Sequence, residues 1–110
     1  MAKPLRGDVV VVPFPFSDLK ESKRRPALVL ASLAGDDLIL CQITSQQGRD
    51  QYAVPLQDTD FKSGSLRQAS YLRPNRLFTA DQAIILYQVG SIQTQKLEEA
   101  IGKLTEILHH

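Results

Sequence analysis

Tryptophan is absent from this chain, cysteine occurs once and histidine twice. A single cysteine excludes an internal disulfide and a thiolate-rich metal cluster. Cys41 ends the apolar run Leu38-Ile39-Leu40-Cys41, so it reads as a small buried hydrophobe and not as a nucleophile. His109 and His110 stand at the C-terminal end, where chains fray and purification tags are attached, and are given no role. Long hydrophobic runs are also missing. None approaches the roughly 20 residues of a membrane helix, and the N-terminus lacks the apolar core of a signal peptide. The expectation is a cytoplasmic protein without membrane contact. Nor does one sign of charge dominate. Thirteen Lys and Arg against twelve Asp and Glu leave a formal net charge of +1, so any affinity for nucleic acid must come from local clusters.

Motifs that announce cofactors are missing as well. There is no P-loop, no GxGxxG and no GxSxG. The aspartates at 8, 18, 36, 37, 50, 58, 60 and 81 are scattered over loops, and none joins a His- or Cys-bearing ligand pattern. The expectation is no metal and no cofactor.

What is present is a sequence of short apolar segments within 110 residues, 43% hydrophobic and 23% charged, enough for one core and too little for two. One domain spanning 1–110 is expected. Val9 to Phe14 reads as a buried strand that stops at the Pro13-Phe14-Pro15-Phe16 punctuation, since proline removes a ladder donor. Ala27 to Ala31 and Asp37 to Thr44 read as a hairpin turning at Gly35-Asp36. Tyr52 to Leu56, carrying Pro55, suits an edge. Ser70 to Leu72 and Ile84 to Val89 supply two further strands, while residues 57–69 read as a polar excursion or a short helical turn. The period then changes. Leu97, Ala100, Ile101, Leu104, Ile107 and Leu108 recur at helical spacing, with Thr94 as the N-cap. Strands followed by one helix predict a mostly β fold, a small barrel or strongly bent sheet with a C-terminal amphipathic helix over its open side.

Three places can carry chemistry. Lys20, Lys23, Arg24 and Arg25 form the densest charge cluster; such runs are usually just solvated loops. Arg25 differs, because Pro26 and apolar strand follow at once and a rigid element can aim its guanidinium. Thr44-Ser45 ends the third strand, and the hairpin turning at Gly35-Asp36 sets Thr44 across one rim from Arg25; otherwise Thr44 is an ordinary β-branched strand residue and Ser45 a turn former. Arg67, Arg73 and Arg76 flank Ser70 and Tyr71, a composition that suits phosphate contacts and base stacking on single-stranded RNA, although Tyr71 and Phe78 also fit a packing role.

At these residues the chain resembles the MazF/PemK family of ribonuclease toxins from bacterial toxin–antitoxin pairs. The likeness rests on Arg6-Gly7-Asp8-Val9, on Lys23-Arg24-Arg25-Pro26-Ala27-Leu28-Val29-Leu30, on Gln42-Ile43-Thr44-Ser45, and on Ser70-Tyr71-Leu72-Arg73-Pro74 leading to Leu77-Phe78-Thr79. It implies an SH3-like barrel with a C-terminal helix, a homodimer, an antitoxin partner, and metal-independent cleavage of single-stranded RNA by attack of the 2′-hydroxyl on the neighbouring phosphate. The family's catalytic arginine falls on Arg25 and its catalytic Thr/Ser on Thr44. Lys20, Lys23, Arg24, Ser45, Ser70, Arg73 and Arg76 are then the expected substrate contacts. A position that is basic in many members falls on Phe78, which leaves Arg73 or Arg76 to supply that charge.

The reaction requires loss of the 2′-hydroxyl proton, stabilisation of the phosphorane and protonation of the leaving 5′-oxygen. An arginine clamps a phosphorane well and is a poor base, so electrostatic stabilisation is expected of Arg25 and the acid/base groups stay open. Two rivals remain: a non-catalytic barrel that binds RNA or protein through the same loops, and a gyrase poison like CcdB, which resembles MazF in fold but acts on a protein. The second depends on a C-terminal tryptophan that this chain lacks.

Overall fold

Alternate residues of the apolar segments are buried on opposite sides of one sheet, which gives the fold two cores. The computed structural model describes residues 3–15, 22–46 and 48–110. Among them are seven strands, β1 (Asp8–Pro15), β2 (Ser22–Ser32), β3 (Asp37–Thr44), β4 (Val54–Leu56), β5 (Phe61–Gly64), β6 (Ser70–Asp81) and β7 (Tyr87–Ile92), followed by the helix α1 (Thr94–His109). All pairings are antiparallel, in the order β4-β6-β3-β2-β1-β7-β5. Val9, Leu28, Cys41, Ile43, Leu72 and Ile92 point to the side covered by α1, where Leu97 and Ala100 meet them. Val10, Val12, Ala27, Val29, Leu38 and Leu40 point the other way, joined by Phe14, Phe78, Ala80 and Ile85. Each fully buried Leu or Val contributes about 1.5–3 kcal/mol.

The sheet curls but does not close, which corrects the expected SH3-like barrel. Edge strands β4 and β5 lie at opposite ends of the strand order and pair with β6 and β7, not with each other. Val54 and Leu56 of β4 and Phe61 of β5 instead share a core with α1. The bent-sheet alternative, with the helix over its open side, describes the molecule. Register shifts between Val9/Val10, Val29/Ala31, Cys41/Gln42 and Phe61/Ser63 supply the bending, since each extra residue increases local twist.

Several boundaries move for identifiable reasons. β1 runs through Pro13 to Pro15, and β2 begins at Ser22, because the two pair beyond the rest of the sheet: Val12 with Arg25, Pro13 with Arg24, Phe14 with Lys23. The pairing of β1 with β7 has ended at Val11 and that of β2 with β3 begins at Ala27, so Pro13 and Pro26 break no ladder on their open sides. Within 57–69 there is a 3-10 turn, Asp58–Asp60, and also strand β5. The strand expected at Ile84 to Val89 lies later, after a 3-10 turn at Gln82–Ile84. The helix N-cap is Gln93, not Thr94, and no side chain caps it. Its start is held by tertiary bonds instead: the Gln93 N–H donates to Asp60 O at 2.7 Å and the Gln93 side chain to Phe61 O at 3.3 Å.

No described helix is long and apolar enough to cross a membrane.

Candidate functional site

The site grows from the hairpin of β2 and β3. Gly35 takes φ +74 in its turn, the left-handed region that glycine enters without strain, and the ladder then pairs Leu28 with Cys41 and Ala27 with Gln42. Two residues further on, Arg25 and Thr44 occupy matching positions past the last ladder pair. Side chains alternate along a strand, so Arg25 shares a face with Ala27, and Thr44 with Gln42 and Leu40. The apolar second core thus grades into a polar end. Next to β3, the pairing of Gln42 with Arg73 and of Thr44 with Tyr71 adds β6 to the same face.

Arg25, Gln42, Ile43, Thr44, Gln46, Arg73 and Phe14 line a cleft of about 170 Å³. A wider depression of about 550 Å³ continues from it, sharing Thr44, Gln46 and Arg73 and adding Gly48, Arg49, Asp50, Gln51, Tyr52 and Asn75. The Gln46 N–H donates to Thr44 Oγ1 at 3.1 Å. That bond occupies a hydroxyl lone pair and leaves the hydroxyl proton available for donation to a ligand.

Arg73 is fixed from outside the cleft. Its Nε donates to Asp50 Oδ2 at 2.9 Å, with the two side chains 24% and 9% exposed. Burial works against the Asp50 carboxylate, but the Arg73 guanidinium, the Tyr52 N–H and the Asn75 side chain outweigh it and hold its pKa below the ordinary 3.8. Cys41 lies one position from this cleft on the opposite face. Burial pushes its thiol up to about 12, against hydrogen bonds with the Arg73 and Leu28 backbone, so it stays protonated and unreactive at neutral pH.

Of the residues singled out from sequence, the cleft gathers Arg25, Thr44 and Arg73. Lys23 and Arg24 are exposed on β2; Lys23 shares the face of Arg25, and Arg24 takes the other. Lys20 lies outside the described residues. Ser45 is exposed just past β3 and Arg76 on β6, and neither lines the cleft. Ser70 is buried on the face opposite Arg73, its hydroxyl donating to Gln68 O at 3.3 Å. Phe78 pairs with Leu40 and sets its ring edge-on to Phe14 at 5.0 Å between centroids. Gln42, Gln46, Arg49, Asp50 and Asn75 were not anticipated. A period of two back from Thr44 marks Gln42; nothing local marks Asp50.

Among the described residues no group of three or more His, Cys, Asp or Glu could hold a metal ion. The cleft instead presents two guanidiniums, a hydroxyl and two carboxamides, donors suited to an anion with several oxygens.

Residues 5–108 match the family model of the PemK-like, MazF-like toxin of type II toxin–antitoxin systems. Among solved structures, MazF of Deinococcus radiodurans superposes with a TM-score of 0.77 at 23% identity, covering 100% of both chains. The MazE–MazF complex of the same organism gives 0.77 at 24% identity, covering 99% of this chain and 98% of that one. A mycobacterial endoribonuclease in complex with its cognate antitoxin gives 0.72 at 17% identity, covering 99% and 96%. These likenesses concern the fold. Among curated proteins none matches the chain.

Proposed function

Since the chain belongs to the PemK-like, MazF-like toxins of type II toxin–antitoxin systems, we propose that it is a metal-independent endoribonuclease acting on single-stranded RNA. One observation carries this reading: Arg25, Thr44 and Arg73, from three adjacent strands, line a single cleft. A ribose 2′-hydroxyl attacks the adjacent phosphorus, and the bond from phosphorus to the 5′-oxygen breaks. The 2′-hydroxyl proton leaves, the 5′-oxygen gains one, and the products are a 2′,3′-cyclic phosphate and a free 5′-hydroxyl.

Arg25 clamps the phosphorane through two N–H groups, a bidentate contact that strengthens as charge builds on the phosphoryl oxygens. Thr44 donates its hydroxyl proton to one of those oxygens while the Gln46 N–H steadies its Oγ1. Arg73 supplies a second cation, in the role for which Phe78 has no charge. Lys23 and Arg24 hold flanking phosphates by charge alone.

The proposed partners follow the same surface. Two copies pair to build an RNA groove, and an antitoxin with an acidic, partly disordered tail covers the basic segment from Lys20 to Arg25. Incubating the purified protein with mixed single-stranded RNA and sequencing the ends tests the activity. Fragments with 5′-hydroxyl ends at a defined motif are expected, and intact RNA would leave the non-catalytic binding module as the better reading.

A further inference from the structure

Arg73 and Asp50 come from β6 and from the loop between β3 and β4, yet they meet at 2.9 Å. A free arginine at a cleft mouth samples many rotamers, and ordering it upon binding RNA costs entropy. Here the carboxylate removes that freedom in advance. Asp50 is itself held: its Oδ1 accepts the Tyr52 N–H at 2.9 Å, and the Asn75 side chain, two residues from Arg73, also bonds to the carboxylate. With 9% of its side chain exposed, Asp50 is a mostly enclosed anchor. The contact engages Nε, which leaves the Nη protons of Arg73 for another acceptor.

We propose that Asp50 is a positioning residue, whose carboxylate holds Arg73 so that its Nη groups meet the phosphate bound between Arg25 and Thr44. The inference rests on the ribonuclease reading and deepens it. It also runs against simple electrostatics. A carboxylate beside a phosphate-binding cleft repels RNA, so on charge alone its removal strengthens binding and raises the rate. If Asp50 acts by placement, its removal lowers turnover although binding is unharmed, because misplacing a group by about 1 Å costs up to roughly a hundredfold.

The test measures kcat and KM on one RNA for the wild type, Asp50→Asn, Arg73→Ala and the double variant. Expected for Asp50→Asn is a kcat lower by roughly ten- to a hundredfold with KM unchanged or reduced. The double variant should be no slower than Arg73→Ala, because Asp50 has nothing left to place. Unchanged or raised kcat in Asp50→Asn, or losses that multiply in the double variant, overturn the inference. A readout on the wild type covers a variant that fails to fold: the Arg73 Nε–H should give a sharp NMR signal protected from water exchange near neutral pH. An unprotected signal overturns the inference too. A wild type that leaves RNA intact overturns the function proposed above and this role with it, whereas a wild type that cuts beside equally fast Asp50 variants overturns this role alone.

Discussion

Arg25 and Thr44 stand at matching positions on neighbouring strands, two residues beyond the last ladder pair Ala27 and Gln42, and face into one cleft. Strand geometry therefore fixes their relative placement, and the ligand need not assemble them. Arg25→Ala should lower turnover by roughly a hundredfold or more with only a modest loss of RNA affinity. Arg25→Lys should not restore it, since an ammonium lacks the bidentate fork. Thr44→Ser should retain more activity than Thr44→Val. Single-turnover rates and filter binding on the four variants decide this, and wild-type rates for both Arg25→Ala and Thr44→Val would sink the proposed roles.

In the proposed reaction the 2′-hydroxyl is the attacking group, so a 2′-deoxy substitution at the cleaved nucleotide should abolish cutting. Cleavage should also persist in excess chelator, since the cleft offers guanidiniums, a hydroxyl and carboxamides where a metal mechanism needs ligands. Rescue of a chelated sample by Mg²⁺ or Mn²⁺ counts against the mechanism.

Phe78 falls where the resemblance leads one to expect a basic residue, but here it packs against the second core and Phe14. Phe78→Lys should therefore destabilise the fold by about 1–3 kcal/mol and bring no gain in cleavage. Urea denaturation beside a rate measurement checks both halves; a faster enzyme of unchanged stability would contradict this account.

Gly90 pairs with Val9 on one side and Gly64 on the other, and a Cβ there would strike the Ser63 carbonyl. Gly90→Ala should cost about 1–3 kcal/mol, as overpacking does. An unchanged denaturation midpoint would show that β5 can shift to make room.

Asp50 gives a pH signature. Its pKa is lowered in the folded protein, so the stability it contributes is complete above the unfolded carboxylate value and is lost as pH falls through the folded one. The stability gap between wild type and Asp50→Asn should accordingly be constant near neutrality and shrink in acid. A gap that widens as pH drops would reverse the assigned sign.

The hairpin of β2 and β3 was legible because turn chemistry at Gly35-Asp36 and alternating burial agree, and with it came the pairing of Arg25 with Thr44. β5 was not. Phe61-Lys62-Ser63-Gly64 has one large apolar residue, and its pairing depends on two glycine backbones approaching closely, Gly64 and Gly90, which no local pattern encodes. The helix start shifted because its anchors, Asp60 and Phe61, are distant in sequence. Asp50 looked like one of several scattered acids for the same reason, since its partner lies 23 residues away. The strand pattern allows a barrel or a bent sheet and the resemblance implies a closed barrel; the pattern does not say which edges pair, and β4 and β5 do not.

β6 passes from Arg73, opposite Gln42, to Leu77, opposite Cys41, which leaves Pro74, Asn75 and Arg76 without partners in β3. The register on each side is secured independently, by the pairing with β4 toward the N-terminal end and by Phe78 and Ala80 in the second core beyond. Pro74 is fully buried and Asn75 bonds to Asp50, but an exchange at the exposed Arg76 need not propagate into either half. The kink borders the wider depression through Asn75, so under the proposed function Arg76 is a point at which variants of this sequence can alter their choice of RNA without renegotiating the fold.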